Sequence, residues 1–470
     1  MTTSPGFREA FEWFTQQLSS VVFYAIPVAG AELPMVVLWL MAGALFSTFY
    51  LGFINVRGFG HAIRVVSGRY KDPKQQGDIT PFQALSTALS GTVGTGNIAG
   101  VAVAITLGGP GATFWMILAG LLGMSLKFVE CTLAVKYRRQ AADGTFSGGP
   151  MYYIEAALAK YRLPRLGKAL AIFFAMACVF GSAGFVHVNQ GFAQVKGVTG
   201  FDSAWGFGVL YALLVAVVII GGIKSIARVT SRLVPLMCAI YLLAALVIIG
   251  SQLTAVPAAL MIIVQGAFAP EAAYGGFIGV LIQGFRRAAY SNEAGIGSSP
   301  IAHAAAQTRQ PVSQGFVALL EPFIDTVVIC TITALVIILT GAYLGSDLDG
   351  VRLTSSAFAT VFDWFPLVLM VALLLFGFST VISWSYYGLK SWSYIFGDSA
   401  RAQNLFKVLF CLVVSVGAVP NILAVFDFID SMIFLMAVPN ILAIYLLMPE
   451  VKRDLRQYLA QLQDNRAHFK

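Results

Sequence analysis

A glycine-rich stretch inside an apolar segment sets the strongest limit on the fold of this chain. The segment covers about residues 82–107, and within it the stretch from Ser90 to Gly100 reads SGTVGTGNIAG. A helix in lipid must satisfy its own backbone hydrogen bonds, and glycines packed this densely weaken it. We therefore expect the helix to break near the middle of the bilayer, where freed N–H and C=O groups can bind a small charged ligand.

The composition indicates that the whole chain is a membrane protein. Of its 470 residues, 58% are hydrophobic and 11% are charged, whereas soluble domains carry roughly 25% charged residues. The surplus apolar surface must face lipid, so we expect an all-α polytopic protein whose partner is a lipid bilayer. The net charge of +8 comes from short basic clusters between apolar segments, which argues against a nucleic-acid partner.

The motifs of enzymes are missing from the sequence. It contains no Walker loop, no His-Glu-x-x-His zinc motif and no hydrolase nucleophile elbow. The five cysteines lie singly in apolar segments, so neither a disulfide framework nor a metal centre is expected. We therefore expect a protein that is not an enzyme and that holds no cofactor.

The apolar pattern predicts about eleven membrane spans, at roughly 20 residues per crossing. They cover about 34–56, 82–107, 112–136, 168–191, 205–222, 233–250, 272–300, 315–341, 364–395, 404–419 and 421–448. A shorter apolar piece near 252–266 predicts an extracellular helix. Loops rich in lysine and arginine alternate with loops poor in them, which predicts an outside N-terminus and a cytoplasmic C-terminus. A compact chain of this kind fits the inner, or plasma, membrane of a bacterium.

Two glycine-broken spans open two runs of about five spans each. The first run starts from the cytoplasmic side and the second from outside, which is typical of an inverted-repeat transporter. The predicted division is an extracellular N-terminal segment (1–33), a peripheral transmembrane helix (34–56), a first repeat (82–250), a second repeat (272–448) and a cytoplasmic tail (449–470).

The first break offers neighbouring sites for an anion and a cation. The outer half-helix begins near Gly96 or Asn97, so its N–H groups and positive dipole end face the midplane and favour a carboxylate. The inner half-helix ends between Ser90 and Val93, and its unpaired carbonyl groups suit a small cation. The alternative is that these small residues serve only close helix packing.

The second break is expected among polar residues of the span 272–300. These are Gly275, Gly276, Gly279, Gln283, Gly284, Phe285, Arg286 and Arg287, followed by Tyr290 to Gly297. A charge at the bilayer centre costs about 2.5–3.5 kcal/mol, so such a span must line a cavity or pair internally. We expect Gln283 nearest the midplane and Arg286, Arg287 and Glu293 in gate ion pairs towards the cytoplasm. Alternatively, these residues begin the next loop.

Other polar side chains in the spans have several possible roles. Ser379, Thr380 and Ser383 carry hydroxyl oxygens that suit sodium, although such groups also bond their own helix carbonyls. Trp384 and Phe185 are candidate aromatic walls of a pocket. We expect Lys127 and Glu130 to neutralise each other and His187 to be a core histidine. Four carboxylates are candidate relays or partners of Arg286 and Arg287, namely Glu321, Asp325, Asp427 and Asp430.

Four stretches resemble the alanine/glycine:cation symporter family, the sodium:alanine symporters. They read GTGNIAG at 94–100, GGPGATFWM at 108–116, SGGPMYY at 147–153 and SNEAGIGS at 291–298. The second stretch departs from the family pattern at Thr113, where an aliphatic residue is usual. Ile117, just after it, also departs from the pattern, because tryptophan is usual there. The resemblance covers nearly the whole chain.

The resemblance implies a LeuT-type five-plus-five fold with an extra N-terminal helix. It also implies sodium-coupled import of small neutral amino acids, alanine or glycine, by alternating access. The backbone N–H groups of Thr95 and Gly96 would hold the substrate carboxylate. The implied substrate residues are Gly94, Thr95, Gly96, Gln283, Gly284, Asn292, Phe185 and Trp384; the implied main sodium ligands are Ser90, Val93, Ser379 and Thr380, and Thr92 and Asn97 match a second sodium site. Proton coupling through Glu321, Asp325 or Asp427 stays open, and so does a channel.

Overall fold

A computed structural model describes residues 5–28, 31–70, 76–141, 144–268, 276–345, 350–418 and 423–468. The α-helices are α1 (Pro5–Val22), α2 (Met35–Tyr50), α3 (Ile54–Arg57), α4 (Phe59–Val66), α5 (Pro81–Thr92), α6 (Val101–Gly108), α7 (Ala112–Lys136), α8 (Pro150–Lys160), α9 (Pro164–Gly181), α10 (Phe185–Thr199), α11 (Ala204–Ile219), α12 (Gly222–Ser251), α13 (Val256–Phe268), α14 (Gly276–Asn292), α15 (Pro300–His303), α16 (Pro311–Pro322), α17 (Thr331–Thr340), α18 (Gly350–Ala359), α19 (Phe365–Phe396), α20 (Ala400–Val416) and α21 (Leu423–His468). π-helical turns cover Gly96–Gly100 and Phe323–Cys330, and a 3₁₀ turn covers Leu253–Ala255.

Each predicted span contains a helix, and the all-α architecture is confirmed. Within the described residues, six helical stretches are long and apolar enough to cross a bilayer, and the bent pair Pro81–Thr92 and Gly96–Gly108 forms a seventh. Shorter apolar helices include Met35–Tyr50 and Ala204–Ile219. The number of crossings and the orientation of the termini remain predictions. The predicted tail continues α21 as helix to His468.

Two small antiparallel hairpins complete the secondary structure of the described residues. Strand β1 (Ala25–Val28) pairs with β2 (Ala31–Pro34) in the N-terminal segment. Strand β3 (Arg139–Gln140), which follows α7, pairs with β4 (Phe146–Ser147), which precedes α8.

The predicted break in the first glycine-rich span is confirmed. α5 starts at a capping box, in which the Thr80 hydroxyl accepts from the Gln83 N–H and the Gln83 side chain accepts from the Thr80 N–H. The helix ends at Thr92, and Val93 takes extended backbone angles (φ −71°, ψ 106°). The following helical segment is bent by 54° from α5, so the break redirects the chain.

The second broken helix breaks later than the glycine pattern predicts. α14 is continuous from Gly276 to Asn292, and the break lies at Glu293, Gly295 and Gly297, which all have positive φ angles. The expected position is wrong because Gly284 serves helix packing: an added Cβ would lie 2.5 Å from the Trp115 Cβ on α7. Gly275 lies outside the described residues.

Two groups of helices meet at the first broken helix. In one group, α7 packs against α14 and α16. In the other, α19 packs against α9, α10 and α12. α5 contacts α12 and α19 on one side and α16 on the other, so the first break lies between the groups.

The ends of both broken helices are joined away from the breaks. The backbone of Ile79, which precedes α5, pairs with Ala305 and Gln307, which follow α15. The Arg138 guanidinium, after α7, donates to the carbonyl oxygens of Ala306 (2.7 Å) and of Gln76, Ala304 and Thr308 (2.9–3.0 Å). Because one side chain holds both segments, the two broken helices and α7 are fixed to one another at this end.

Candidate functional site

Both breaks line one cavity of about 120 Å³. The first break contributes the backbone from Gly91 to Gly96, and the second contributes Glu293 with its neighbours. The lining residues are Gly91, Thr92, Gly94, Thr95, Gly96, Gly181, Gly184, Val186, His187, Tyr290, Glu293, Ile296, Trp384, Ile429, Asp430, Ile433 and Phe434. The cavity therefore places irregular backbone from two helices beside ionisable side chains.

The first break presents its backbone to this cavity. The Gly94 N–H donates to Asn97 Oδ1 at 2.8 Å, which holds the turn closed. An added Cβ at Gly94 would lie 3.1 Å from Thr380 Oγ1, so glycine permits the close approach of α19. The N–H groups of Thr95 and Gly96 lie at the start of the next helical segment. No helical turn precedes them, so no carbonyl group of that segment accepts their hydrogen bonds. Such N–H groups favour a negatively charged ligand.

The predicted main sodium ligands come together at the end of α5. The Ser90 hydroxyl lies 3.3 Å from the Ser379 carbonyl oxygen and forms a short hydrogen bond with the Ser383 hydroxyl. Thr380 approaches Gly94, and Val93 is fully buried beside them. The Ser379 and Thr380 hydroxyls also donate to the Phe376 carbonyl at 2.9 and 3.0 Å, as the structural alternative predicts.

Asn97 lies beside a buried carboxylate that the sequence did not place in the site. Its Nδ2 donates to Asp325 Oδ1 at 2.6 Å, and the Ser291 hydroxyl donates to Asp325 Oδ2 at 2.6 Å. Asp325 is fully buried on the π-helical segment Phe323–Cys330. Thr92 lines the cavity, but its hydroxyl lies 3.4 Å from the Ala88 carbonyl.

Four predicted substrate residues lie outside the described cavity wall. Gln283 packs on the Gly108 turn, and Gly284 packs on α7, because this part of α14 is continuous helix. Asn292 caps the second break: its Oδ1 accepts from the Ala294 N–H and its Nδ2 donates to Thr326 Oγ1, both at 3.0 Å. Phe185 is buried at the start of α10. Trp384 does line the cavity, and its Nε1 lies 3.3 Å from the Gly91 carbonyl oxygen.

The expected pairing of Lys127 with Glu130 is wrong. Lys127 Nζ instead donates to Glu321 at 3.0 Å and to the Ser299 hydroxyl at 2.5 Å. Glu130 accepts from Asn440 Nδ2 at 2.5 Å and from the Gly295 N–H at 3.3 Å. The two side chains lie on one face of α7, and that face contacts the second break at Gly295 and at Ser299, just after it.

The arginines of α14 do not pair with Glu321 or Asp325. The Arg286 guanidinium lies 5.6 Å from the Phe23 ring centroid, and both arginines are near Asp430, which interacts with Tyr290. Asp430, which the sequence suggested as a relay or an arginine partner, lines the cavity together with Tyr290 and Phe434. His187 lines it too, with Nδ1 3.5 Å from the Thr95 hydroxyl.

Two solved structures share this fold. One is MhsT in complex with L-phenylalanine, at a TM-score of 0.51 and 17% identity, covering 80% of this chain and 90% of that one. The other is a substrate-bound, outward-open Na⁺-coupled sialic acid symporter, at a TM-score of 0.53 and 12% identity, covering 81% of each chain. The fold is therefore that of the LeuT-type transporters, as the sequence predicted.

The family is more specific than the fold. Residues 16–470 match the sodium:alanine symporter family, and the chain belongs to it. Among its relatives is the sodium/alanine symporter AgcS of Methanococcus maripaludis, which is 39% identical over 430 residues, 90% of this chain and 94% of AgcS. The probable sodium/glutamine symporter GlnT of Bacillus subtilis is 34% identical over 429 residues, 91% of this chain and 88% of GlnT. These relatives are transporters, in agreement with the prediction that the chain is not an enzyme.

Proposed function

We propose that this protein is a sodium-coupled symporter that imports small neutral amino acids, with alanine and glycine as substrates. The observation that carries the proposal is the cavity between the two breaks, which is lined by Thr95 and Gly96, with the Thr380 hydroxyl of α19 close to the adjoining Gly94. A zwitterion and a small cation can bind there together. The relation to AgcS, a sodium/alanine symporter, supports this substrate and this ion.

Coupling follows from the use of one backbone segment by both ligands. Sodium would bind the carbonyl groups of Ser90 and Val93 with oxygens of Ser379 and Thr380, while the substrate carboxylate binds one turn further on. Because the cation fixes the end of α5, it also fixes the N–H groups that hold the substrate. Each ligand therefore raises the affinity for the other.

Asp325 supplies a basis for a second cation. Its hydrogen-bond donors in the structure are the neutral side chains of Asn97, Ser291 and Thr326. A buried carboxylate without a positive partner is costly, and either a cation or a proton relieves that cost. We propose that a second sodium ion binds at Asp325 and Asn97, with Thr92 as a further candidate ligand from the first break. A proton at Asp325 or Glu321 is the second candidate.

Transport would require the two helix groups to move relative to each other. The Arg138 hydrogen bonds fix both broken helices and α7 together at one end, which supports movement of this group as one body. The hydroxyl contacts between α5 and α19 then lie on the surface that the movement changes. Alternating access to the cavity follows from such a movement.

Uptake into proteoliposomes tests the proposal. Labelled alanine and glycine are supplied with an inward sodium gradient, and choline replaces sodium in the control at the same pH. We expect concentrative uptake that collapses in choline. Uptake that persists in choline and follows an imposed pH gradient would move the coupling ion to a proton. Saturation of the uptake rate with substrate distinguishes a carrier from a channel.

A further inference from the structure

Glu293 occupies a position where glycine would fit the backbone better. It follows α14 directly and has a φ angle of +53°, in the left-handed region that side chains disfavour. Gly295 and Gly297, in the same break, take positive φ angles without that penalty. Glu293 is nevertheless a carboxylate, it is only 7% exposed, and it lines the cavity. A strained, buried, charged side chain at a cavity is evidence of a role for the side chain itself.

The charges buried around the breaks are predominantly negative. In the described part of the chain, the charged side chains classed as buried are Lys127, Glu130, Glu293, Glu321 and Asp325. Lys127 bonds Glu321 directly, at 3.0 Å. The interior therefore holds one lysine and four carboxylates, and it gains from cations that arrive with the ligands.

Within the described residues, Glu293 borders the ligand space without a salt-bridge partner. Its Oε2 accepts a short hydrogen bond from the neutral Ser298 hydroxyl, which orients the carboxylate. Glu130, in contrast, is enclosed by Asn440 and the Gly295 N–H, and Asp325 is enclosed by Asn97 and Ser291. Among these carboxylates, Glu293 is the one that lines the cavity.

The two breaks therefore carry opposite electrostatic character across a short distance. An added Cβ at Gly96 would lie 3.5 Å from the Ser291 Cα, so the breaks are adjacent. The first break presents N–H groups to a carboxylate, and the second presents a carboxylate. An α-amino acid has the complementary pair of charges on adjacent groups.

We infer that the Glu293 carboxylate binds the ammonium group of the substrate and selects α-amino acids over carboxylic acids that lack an amine. The inference rests on the proposed function, because it requires an amino acid in this cavity. It adds the residue that recognises the amine.

Asp430 provides a matched control. It lines the same cavity, but its carboxylate interacts with Tyr290 and lies near the positive charges of Arg286 and Arg287. Its charge is therefore balanced within the protein. If any carboxylate in the cavity were sufficient, loss of either one would have the same effect.

The experiment measures binding of labelled alanine to the purified full-length protein in sodium, with competition by unlabelled alanine and by lactate, which carries a hydroxyl in place of the amine. We compare the wild type with Glu293→Gln, Glu293→Asp and Asp430→Asn. In the wild type we expect lactate to bind at least about 30-fold more weakly than alanine, which is the loss expected for one partner of a desolvated charge pair. Glu293→Gln should lower alanine affinity by a similar factor and change lactate affinity little. Glu293→Asp should keep part of the discrimination between alanine and lactate. Asp430→Asn should keep all of it.

Several results would overturn the inference. Unchanged discrimination in Glu293→Gln would place the ammonium group elsewhere. The thermal unfolding midpoint is also measured with and without sodium. If sodium no longer raised that midpoint in Glu293→Gln, Glu293 would be an ion-binding or folding residue. If Glu293→Gln does not fold, the wild type still decides, because lactate that competes as well as alanine excludes amine recognition. If the wild type binds no amino acid in sodium, the proposed function itself is wrong. This result is distinguishable from failure of the Glu293 inference, because it is seen in the wild type before any variant is compared.

Discussion

The two helix breaks in this protein are held open by different means. The first break contacts neutral groups: the Asn97 side chain, hydroxyl groups of α19 and the indole of Trp384. The second is held by charged side chains of α7, since Lys127 bonds Ser299 and Glu130 accepts from the Gly295 N–H. A break held by neutral groups leaves its backbone available to a ligand, whereas one held by buried charges is fixed by the protein. We therefore expect changes in the backbone of the first break to alter binding, and changes in the α7 contacts that hold the second break to alter stability; Glu293, whose carboxylate lines the cavity, is the exception.

The largest effect is expected from Lys127→Met. It leaves Glu321 buried without its positive partner, and removal of one partner of a buried ion pair costs about 3–5 kcal/mol. We expect a large fall in the thermal unfolding midpoint, measured in detergent, and a low yield of folded protein. The control is Lys196→Ala, which removes an exposed pair with Asp202, where the side chains are 53% and 69% exposed. Such surface pairs contribute about 0–1 kcal/mol. Equal stability of the two variants would show that the second break does not depend on this charge.

A pair of glycine substitutions sharpens the comparison. Gly295 has a φ angle of +91°, and an added Cβ would lie 2.6 Å from Leu40 Cδ2, so Gly295→Ala should cost about 1–3 kcal/mol of stability. Gly96 has a nearest contact of 3.5 Å for the same Cβ, which is ordinary packing distance. Gly96→Ala should therefore keep its unfolding midpoint and lose alanine affinity, because Gly96 lines the cavity and its added methyl group fills the gap to Tyr290 and Ser291. Thermal unfolding and alanine binding are measured on both variants. The comparison would be contradicted if Gly96→Ala lost stability and Gly295→Ala lost alanine affinity instead.

The difference between the breaks also explains what the sequence could reveal. At the first break the glycines themselves weaken the helix, so local composition was enough to predict the break and the residues around it. At the second break the controlling groups are far away in sequence: Gly295 is 165 residues from Glu130 and 145 from Asn440. Gly284, one of the glycines that suggested an earlier break, packs against α7 instead. Asp325 was visible as a buried carboxylate, but its contacts with Asn97 and Ser291 required the fold.

A moderate effect is expected from Thr380→Val. The change removes a hydroxyl from the proposed main sodium site but keeps the shape of the side chain. One hydrogen-bonding or ligating group contributes about 0.5–1.5 kcal/mol, so the sodium concentration for half-maximal uptake should rise by up to about tenfold. Sodium titration of alanine uptake measures this, and Thr380→Ser should restore it. Ser385→Ala on the same helix is the control, because its hydroxyl donates to the Ile382 carbonyl and does not line the cavity. Equal sodium dependence in the valine variant would remove Thr380 from the ion site.

The smallest effect is expected from Trp384→Phe, which tests whether the first break also limits substrate size. The change removes the indole donor 3.3 Å from the Gly91 carbonyl oxygen and reduces the ring that lines the cavity. One methylene group in an apolar pocket contributes about 1–3 kcal/mol to discrimination, and the smaller ring should relax part of that exclusion. Valine and leucine should then compete better with labelled alanine, while the sodium dependence of uptake stays unchanged. Trp392→Phe, on the same helix but outside the cavity wall, should leave the order of competitors as it is. If Trp384→Phe also left that order unchanged, Trp384 would support the first break through its hydrogen bond alone, and the size limit would come from the α21 side of the cavity.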